Sequence, residues 1–195
     1  MGKREEKINT IIHTTISLLG KEGSGSLSMR KVAEHSKITL SNLQYYFKDK
    51  DELLSATIGY YFKLCEEEVV NTLEKITKSG NADLQPFLKE LLMMHLVDGH
   101  PDEKCTMFRE IWALSTRNPK IEQVVFEYYQ TYCKWIVKVF ASYSSHPQAV
   151  TSLLLPYIEG YSVMGKALPL GKAQVIDLLM NALTPFYKRP GHTEE

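Results

Sequence analysis

The length and composition of the chain are those of a folded protein and exclude an intrinsically disordered polypeptide. With 195 residues, 44% hydrophobic side chains and no net charge, the chain can bury a sizeable core in one or two domains. The charges are uneven, because residues 1–50 hold nine basic and five acidic side chains and the remainder holds fourteen and eighteen. Residues 1–50 therefore have a net charge of +4 and the remainder has −4. This asymmetry is typical of a protein that binds nucleic-acid phosphates through one end only. A chance fluctuation in the distribution of charges is the alternative.

The first predicted element is an amphipathic helix near the amino terminus. Its apolar face follows helical spacing and consists of Ile8, Ile11, Ile12, Thr15, Leu18 and Leu19. The glycine- and serine-rich residues 20–26 are expected to end this helix.

Two short helices joined by a tight turn are predicted next. Ser28 is a suitable N-cap for a helix over residues 29–35, because its hydroxyl can accept a hydrogen bond from a first-turn amide. Thr39 is the corresponding cap of the following helix, whose buried stripe consists of Leu40, Leu43 and Phe47. Amide, hydroxyl and phenol groups suit base edges and phosphates, and the side chains expected to point outward are Ser41, Asn42, Gln44 and Tyr45.

A further helix is predicted to begin immediately after this pair. Asp49 is its expected N-cap, and Glu52 is the expected partner in a capping box. Lys50 lies at the amino end of the same helix, where free amides and a cation attract phosphate. The arrangement is that of a helix-turn-helix DNA reader over about residues 28–47. A short helical hairpin without a DNA role is the alternative.

This part of the chain resembles the amino-terminal signature of the tetracycline-repressor (TetR) family of transcriptional regulators. In that family the pattern is roughly Ile-Ala, a turn, Val-Ser, Leu-Tyr, Tyr-Phe and a helix that starts Lys-Glu-x-Leu. The matching runs are Val32-Ala33, Ile38-Thr39 and Leu43-Gln44-Tyr45-Tyr46-Phe47-Lys48-Asp49-Lys50-Asp51-Glu52-Leu53.

Three positions depart from the family pattern. Lys37 stands where the turn glycine is usual, and Ser36 replaces the alanine before it. A lysine with a left-handed backbone costs roughly 1 kcal/mol, which a stable three-helix unit can absorb. Gln44 stands at a frequent tyrosine, which puts a phosphate contact of that tyrosine in doubt and offers an adenine reader instead.

The resemblance implies that residues 1–50 form a DNA-binding domain. Direct contacts are expected from the second helix of the motif, through Thr39, Ser41, Asn42, Gln44, Tyr45 and Tyr46. Phosphates are expected to be positioned by Ser28, Arg30 and Lys50.

The remaining residues, 51–195, are also predicted to be helical, without an internal repeat or a convincing strand. The predicted helices cover about residues 51–76, 84–96, 108–115, 120–143, 148–167 and 171–188, with Pro156 kinking or loosening the fifth. The fold class is therefore all-α, with a three-helix head and a body of about six helices. Such a count is what the family resemblance implies.

In the resembled family, the last two long helices pair with a second copy of the chain. The apolar residues of these helices cover more than one stripe, so one face is expected to pack on the core and another on a partner. These residues are Leu153, Leu154, Leu155, Tyr157, Ile158, Tyr161, Met164, Val175, Ile176, Leu178, Leu179, Leu183, Phe186 and Tyr187. A wide apolar face inside a monomer is the alternative.

The resemblance also implies a small-molecule pocket among the middle helices of the body. Aromatic and thioether groups line apolar cavities, and a phenol can orient a polar end. The candidate wall residues are Met94, His95, Trp112, Tyr128, Tyr132, Tyr157, Tyr161 and Met164. Plain core packing is the alternative for each of them.

No cofactor, metal or enzymatic activity is expected. The spacing of one polar cluster matches no metal pattern, and its members are His95, Asp98, His100, Asp102, Glu103 and Cys105. A nucleophile elbow, phosphate loop, HExxH motif and paired carboxylates are missing. The three cysteines form no CxxC pair and are expected to be reduced and mostly buried. With neither a leader nor a membrane span recognised, the expected location is the cytoplasm.

These expectations describe a sequence-specific transcriptional regulator that binds a palindromic double-stranded DNA operator as a homodimer. The default mechanism is repression relieved by an unknown small molecule, which shifts the long helix starting near Asp51. The two heads then no longer match a major-groove spacing of roughly 34 Å. The alternatives are a DNA-binding regulator without an effector, and an all-helical ligand carrier or enzyme with a structural head.

Overall fold

The computed structural model describes residues 2–78, 84–96 and 103–187, with the side chains of 76–78, 84 and 103–105 left out. Within these ranges the chain is α-helical and contains no strand beyond one isolated bridge between Ser144 and Tyr187. The helices are α1 (Lys3–Glu22), α2 (Met29–His35), α3 (Leu40–Tyr46), α4 (Lys50–Lys78), α5 (Leu84–His95), α6 (Glu103–Ser115), α7 (Pro119–Ala141), α8 (Pro147–Met164) and α9 (Lys172–Leu183). The all-α prediction is confirmed. No helix in the described ranges is long and apolar enough to cross a membrane.

Helix α1 ends within the predicted glycine- and serine-rich stretch. It continues through Gly20 and stops at Gly23, whose φ of 75° is a backbone conformation that favours glycine. The amide of Gly23 donates to the carbonyl oxygen of Leu19 over 3.0 Å. The predicted apolar face is buried at Ile11, Ile12, Thr15, Leu18 and Leu19.

Helix α9 is shorter than predicted. The expected helix over residues 171–188 ends at Leu183 and continues as a 3-10 turn over Thr184–Phe186. Pro185 lacks an amide hydrogen and its ring crowds the preceding turn, so the α-helical hydrogen-bond pattern stops there. By contrast, α8 stays continuous across Pro156 before its own 3-10 turn at Gly165–Ala167.

The chain divides into two compact units. The first consists of Met1–Cys65 and Asp102–Tyr129. Its core joins α1, α2, α3 and the start of α4 to residues of α6 and α7, and its buried members include Leu19, Val32, Leu43, Ile58, Met107, Ile111 and Ile121. The helix-turn-helix therefore shares one core with helices that follow it by more than fifty positions.

The second unit consists of Glu66–Pro101 and Gln130–Glu195. Its buried residues include Phe87, Leu92, Phe140, Val150, Leu154, Val175, Ile176 and Leu183. The ring of Phe87 packs edge-on against that of Phe140, with centroids 6.2 Å apart. At the amino end of α9, the ammonium of Lys172 donates to the carbonyl oxygen of Met93 over 2.7 Å.

Two of the three cysteines are described, and neither forms a disulfide within the described residues. Cys65 and Cys133 are half-buried, so the prediction of mostly buried thiols overestimates their burial. The burial that does exist raises the pKa of the Cys133 thiol. The side chain of Cys105 lies outside the described residues.

Candidate functional site

The amino end of α2 has the predicted cap. Ser28 has extended backbone angles, and its hydroxyl oxygen accepts a hydrogen bond of 3.3 Å from the Lys31 amide. The Lys31 ammonium forms an ion pair with Glu22 of α1 and holds the pKa of that carboxyl below its usual range. Ser28 and Arg30 are exposed, so both are accessible to a phosphate.

The turn between α2 and α3 has the left-handed residue that the sequence predicts. Lys37 has a φ of 54°, and the amide of Ile38 donates across the turn to the carbonyl oxygen of Ala33 over 3.0 Å. Ser36 is 5% exposed, and its hydroxyl has no hydrogen-bond partner in the part of the chain that the structure describes. An unpaired buried hydroxyl is destabilising, so this turn is less stable than it would be with the alanine and glycine of the resembled pattern.

Helix α3 also has the predicted cap, but its predicted buried stripe is only partly found, because Leu40 at the first position of the helix is half-buried. The hydroxyl oxygen of Thr39 accepts from the Asn42 amide over 3.2 Å and lies 3.1 Å from the Ser41 hydroxyl. Leu43 and Phe47 are buried in the first unit. These contacts fix the rotation of the helix about its own axis.

The opposite face of α3 is exposed and polar, as predicted. Ser41, Asn42, Gln44 and Tyr45 are all exposed, and Tyr45 reaches 73%. Tyr46 differs, because it is half-buried, packs on the core of the first unit and contacts the Tyr45 ring edge-on at 5.2 Å. Five of the six residues predicted to contact DNA directly are therefore exposed on α3 or at its N-cap, Thr39, and Tyr46 is the exception.

The amino end of α4 is capped by Asp49, but the reciprocal contact differs from the predicted capping box. An Asp49 carboxylate oxygen accepts from the Glu52 amide over 2.9 Å, and this bond holds the pKa of Asp49 below its usual value. The Glu52 carboxylate, in turn, accepts from the amide of Lys48 over 2.7 Å. In a capping box the Glu52 side chain would accept from the amide of the cap residue Asp49. Here it accepts from the amide of the preceding residue.

Lys50 makes two hydrogen bonds to the turn between α1 and α2. Its ammonium donates to the carbonyl oxygen of Leu27 over 2.7 Å and to that of Ser24 over 3.3 Å. An ammonium has three donors, and two of them bond to backbone oxygens within the described residues. The sequence pattern gave the location of this lysine but not its backbone partners.

A residue outside the motif contacts the same turn. Glu110 of α6 accepts a hydrogen bond of 2.7 Å from the amide of Ser24, across a separation of 86 positions. The sequence contains no signal for this contact, because neither residue belongs to a recognisable motif.

Two candidate pocket residues, Trp112 and Tyr128, lie in the first unit. The ring of Tyr128 stacks on Phe62 with centroids 3.6 Å apart, and its hydroxyl donates to the Phe62 carbonyl oxygen over 3.5 Å. Trp112 is 43% exposed and stacks on Tyr129 at 5.5 Å. Both rings already pack against aromatic neighbours within their unit.

The other six candidates lie in the second unit. Their surroundings differ: Tyr132 and Tyr161 are buried, Tyr157 and His95 are half-buried, and Met94 and Met164 are exposed. His95 donates through Nδ1 to the carbonyl oxygen of Leu91 over 3.0 Å, and the rings of Tyr157 and Tyr161 stack at 6.4 Å.

Among the described residues no group of three metal-ligating side chains occurs. The polar cluster considered from sequence lies outside the described side chains, apart from His95.

Helices α8 and α9 carry apolar residues on two faces. Leu154, Tyr161, Val175 and Ile176 are buried within the second unit. Large apolar side chains of the same segment are exposed, namely Leu153, Val163, Met164, Leu170 and Leu178. The sequence-based expectation of two apolar faces agrees with this distribution.

Comparisons with known proteins give matches along nearly the whole chain. The profile of "Bacterial regulatory proteins, tetR family" matches residues 11–57. An uncharacterized HTH-type transcriptional regulator from the dhlA 5′ region of Xanthobacter autotrophicus is 34% identical over 189 residues, covering 93% of this chain and 89% of the relative. A regulator from Saccharomonospora viridis in complex with choline has a similar fold, with a TM-score of 0.73, 18% identity and coverage of 95% and 100%. The multidrug binding protein EbrR complexed with imidazole gives a TM-score of 0.69, 18% identity and coverage of 100% and 99%.

Proposed function

Because this chain belongs to the TetR family of helix-turn-helix transcriptional regulators, we propose that it is a repressor of transcription. In this proposal it binds a palindromic DNA operator as a homodimer in the cytoplasm and is released when a small molecule binds its helical body. It performs no catalysis. Residues 1–50 read the DNA, and residues 51–195 bind the effector and form the dimer.

The exposed polar face of α3 is the observation that carries the DNA-binding proposal. The side chains of Ser41, Asn42, Gln44 and Tyr45 project from a helix whose other face is buried. Asparagine and glutamine amides match the donor and acceptor groups on the major-groove edge of adenine, and hydroxyl groups can bond to either base or phosphate. The helix therefore supplies sequence readout.

Phosphate contacts are assigned to residues that flank the reading helix. Arg30 and Ser28 lie exposed at the amino end of α2, and Lys50 keeps one ammonium N–H beyond its two backbone bonds. Such contacts fix the register of the head on the duplex and add salt-dependent affinity without sequence preference.

The exposed apolar residues of α8 and α9 support a homodimer. Leu153 is 54% exposed and Leu178 is 56% exposed, and a self-complementary apolar patch is the usual basis of a two-fold interface. Two heads related by that axis read two inverted half-sites, which explains why the operator is proposed to be a palindrome.

The effector is proposed to bind among the aromatic and thioether residues of the body. Binding would favour a position of α4 in which the two heads no longer fit successive major grooves, so operator affinity falls. Choline and imidazole, which are bound in two structural neighbours, are suitable first probes, since aromatic rings attract the choline cation and can stack on the imidazole ring.

Selection from random duplex DNA with the purified full-length chain tests the DNA-binding proposal. We expect an enriched palindrome, and fluorescence anisotropy should show tighter binding to the palindrome than to either half-site alone. Failure to enrich any sequence, with only weak binding to all duplexes, would refute sequence-specific regulation.

Addition of candidate effectors to the operator complex tests the release step. A small molecule that lowers operator affinity, and whose own affinity falls reciprocally in the presence of operator, supports the repressor mechanism. Operator binding that no compound in a broad metabolite panel alters favours the alternative, a DNA-binding regulator without an effector.

A further inference from the structure

We propose that Glu110 of α6 is a positioning residue for the DNA-reading head. It holds the turn over residues 24–27, which joins α1 to α2 and leads directly into Ser28. The inference rests on the proposed DNA binding and adds to it a residue far outside the helix-turn-helix sequence.

The peptide groups of this turn are bound from two sides. On one side, the Ser24 amide donates to a carboxylate oxygen of Glu110 over 2.7 Å. On the other side, the carbonyl oxygens of Ser24 and Leu27 accept from the Lys50 ammonium over 3.3 and 2.7 Å. Ser24 is thus bound through both its N–H and its C=O by charged side chains from α6 and α4. Hydrogen bonds to ionised groups are stronger than those between neutral groups.

The Glu110 carboxylate also packs against the end of α1. A Cβ placed on Gly23 would lie 3.3 Å from the nearer carboxylate oxygen, closer than most such contacts allow. Gly23 has a φ of 75° as well, so both the backbone angle and the space favour glycine. The carboxylate therefore contacts the helix end and the turn that follows it.

The position of this turn determines the position of the phosphate-facing end of α2. Leu27 is buried, and the next residue, Ser28, caps a helix of seven residues that carries Arg30. A short helix fixed at its first turn moves with that turn. Release of Ser24 would therefore allow Ser28 and Arg30 to leave this geometry in the free protein, and DNA binding would have to restore it before the same phosphate contacts form.

Glu110 acts through the turn and not by touching DNA, because a carboxylate repels phosphate. Its removal should lower operator affinity while the number of phosphate contacts stays the same. The salt dependence of binding distinguishes a residue that positions the turn from one that contacts phosphate, since the slope counts the phosphates that are neutralised.

The test compares Glu110→Ala with Glu110→Gln in the full-length chain, using operator titrations at several salt concentrations. We expect Glu110→Ala to weaken binding about tenfold with an unchanged salt slope, as for the loss of one charge-assisted hydrogen bond. Glu110→Gln should recover most of the affinity, because its amide oxygen can accept from Ser24. The matched control is Glu122→Ala, which removes an exposed carboxylate from α7 in the same unit.

Amide hydrogen exchange provides a readout that needs no DNA. Exchange at Ser24 should accelerate in Glu110→Ala, stay slow in Glu110→Gln, and leave the Leu43 amide unchanged in both. Wild-type affinity for Glu110→Ala, or equal losses in the two variants, overturns the proposal. If the wild-type chain binds no operator, the proposed DNA-binding function is refuted independently of the role of Glu110. The Ser24 exchange rates then still decide whether Glu110 holds the turn.

Discussion

The ammonium of Lys50 donates a hydrogen bond of 2.7 Å to the carbonyl oxygen of Leu27. Lys50 begins α4, and Leu27 precedes the cap of α2, so this bond joins the two ends of the helix-turn-helix. Lys50 therefore stabilises the motif, and the third N–H of its ammonium is the donor that we propose for a phosphate.

Replacement of Lys50 by alanine should weaken binding to all DNA sequences and reduce the salt slope by about one unit. The uniform loss follows because a phosphate contact is the same at every sequence. Anisotropy titrations with operator and with unrelated duplex measure both quantities. Lys63→Ala is the control, because Lys63 is exposed further along α4. Unchanged operator affinity would contradict the assignment.

Replacement of Gln44 by alanine should relax sequence preference. Gln44 is exposed on the reading face of α3, and a bidentate amide contact with adenine contributes about 1–3 kcal/mol of discrimination against other bases. We expect one position of the selected half-site to lose its preference, while binding to unrelated duplex stays the same. Arg30→Ala is the comparison, because loss of a phosphate contact should lower affinity uniformly. A preference pattern identical to that of the wild type would contradict the role of Gln44.

The head was predictable from the sequence because its determinants are local. Ser28 and Thr39 cap helices through contacts within three residues, and Lys37 adopts the left-handed conformation that its place in the pattern predicts. The contact between Glu110 and Ser24 was not predictable, because it joins positions 86 apart and depends on how α6 packs. Rules of helix periodicity and capping relate residues that are only a few positions apart in the sequence, so they cannot predict this contact.

The small-molecule pocket that we propose for the body was less predictable than the head, for a similar reason. Aromatic residues at helical spacing identify an apolar face, but whether that face packs on another ring depends on the tertiary structure. Tyr128 illustrates this, because its ring stacks on Phe62 from a different helix at 3.6 Å. The side chain is already in contact with the core of the first unit.

The charge on Asp49 should contribute to stability in a pH-dependent manner. The Glu52 amide lowers the pKa of Asp49 below its ordinary value of 3.8, so the charged form stabilises the fold above that value. This contribution is lost as the pH falls through the lowered pKa. Asp49→Asn keeps a capping oxygen but should remove this dependence. Thermal unfolding of both proteins from neutral to acid pH should show curves that converge at low pH; parallel curves would contradict the prediction.

Replacement of Ser36 by alanine should stabilise the protein by about 1 kcal/mol, because it removes a buried hydroxyl that lacks a partner. Denaturant unfolding measures the change. Ser115→Ala is a matched control, since Ser115 is equally buried but donates to the Trp112 carbonyl oxygen over 2.8 Å. That variant should gain no stability. Equal effects of the two substitutions would show that the missing hydrogen bond at Ser36 has no energetic consequence.

Replacement of Leu178 by glutamate should dissociate the proposed dimer. Leu178 is 56% exposed on α9, and burial of an unpaired charge at an apolar interface is strongly unfavourable. We expect the dimer dissociation constant to rise by at least about 100-fold, as measured by sedimentation equilibrium. Gln130→Glu adds the same charge at an exposed position of α7 in the same unit, and it should leave the dimer intact. Circular dichroism separates dissociation from unfolding. A folded Leu178→Glu variant that dimerises as tightly as the wild type would place the interface elsewhere.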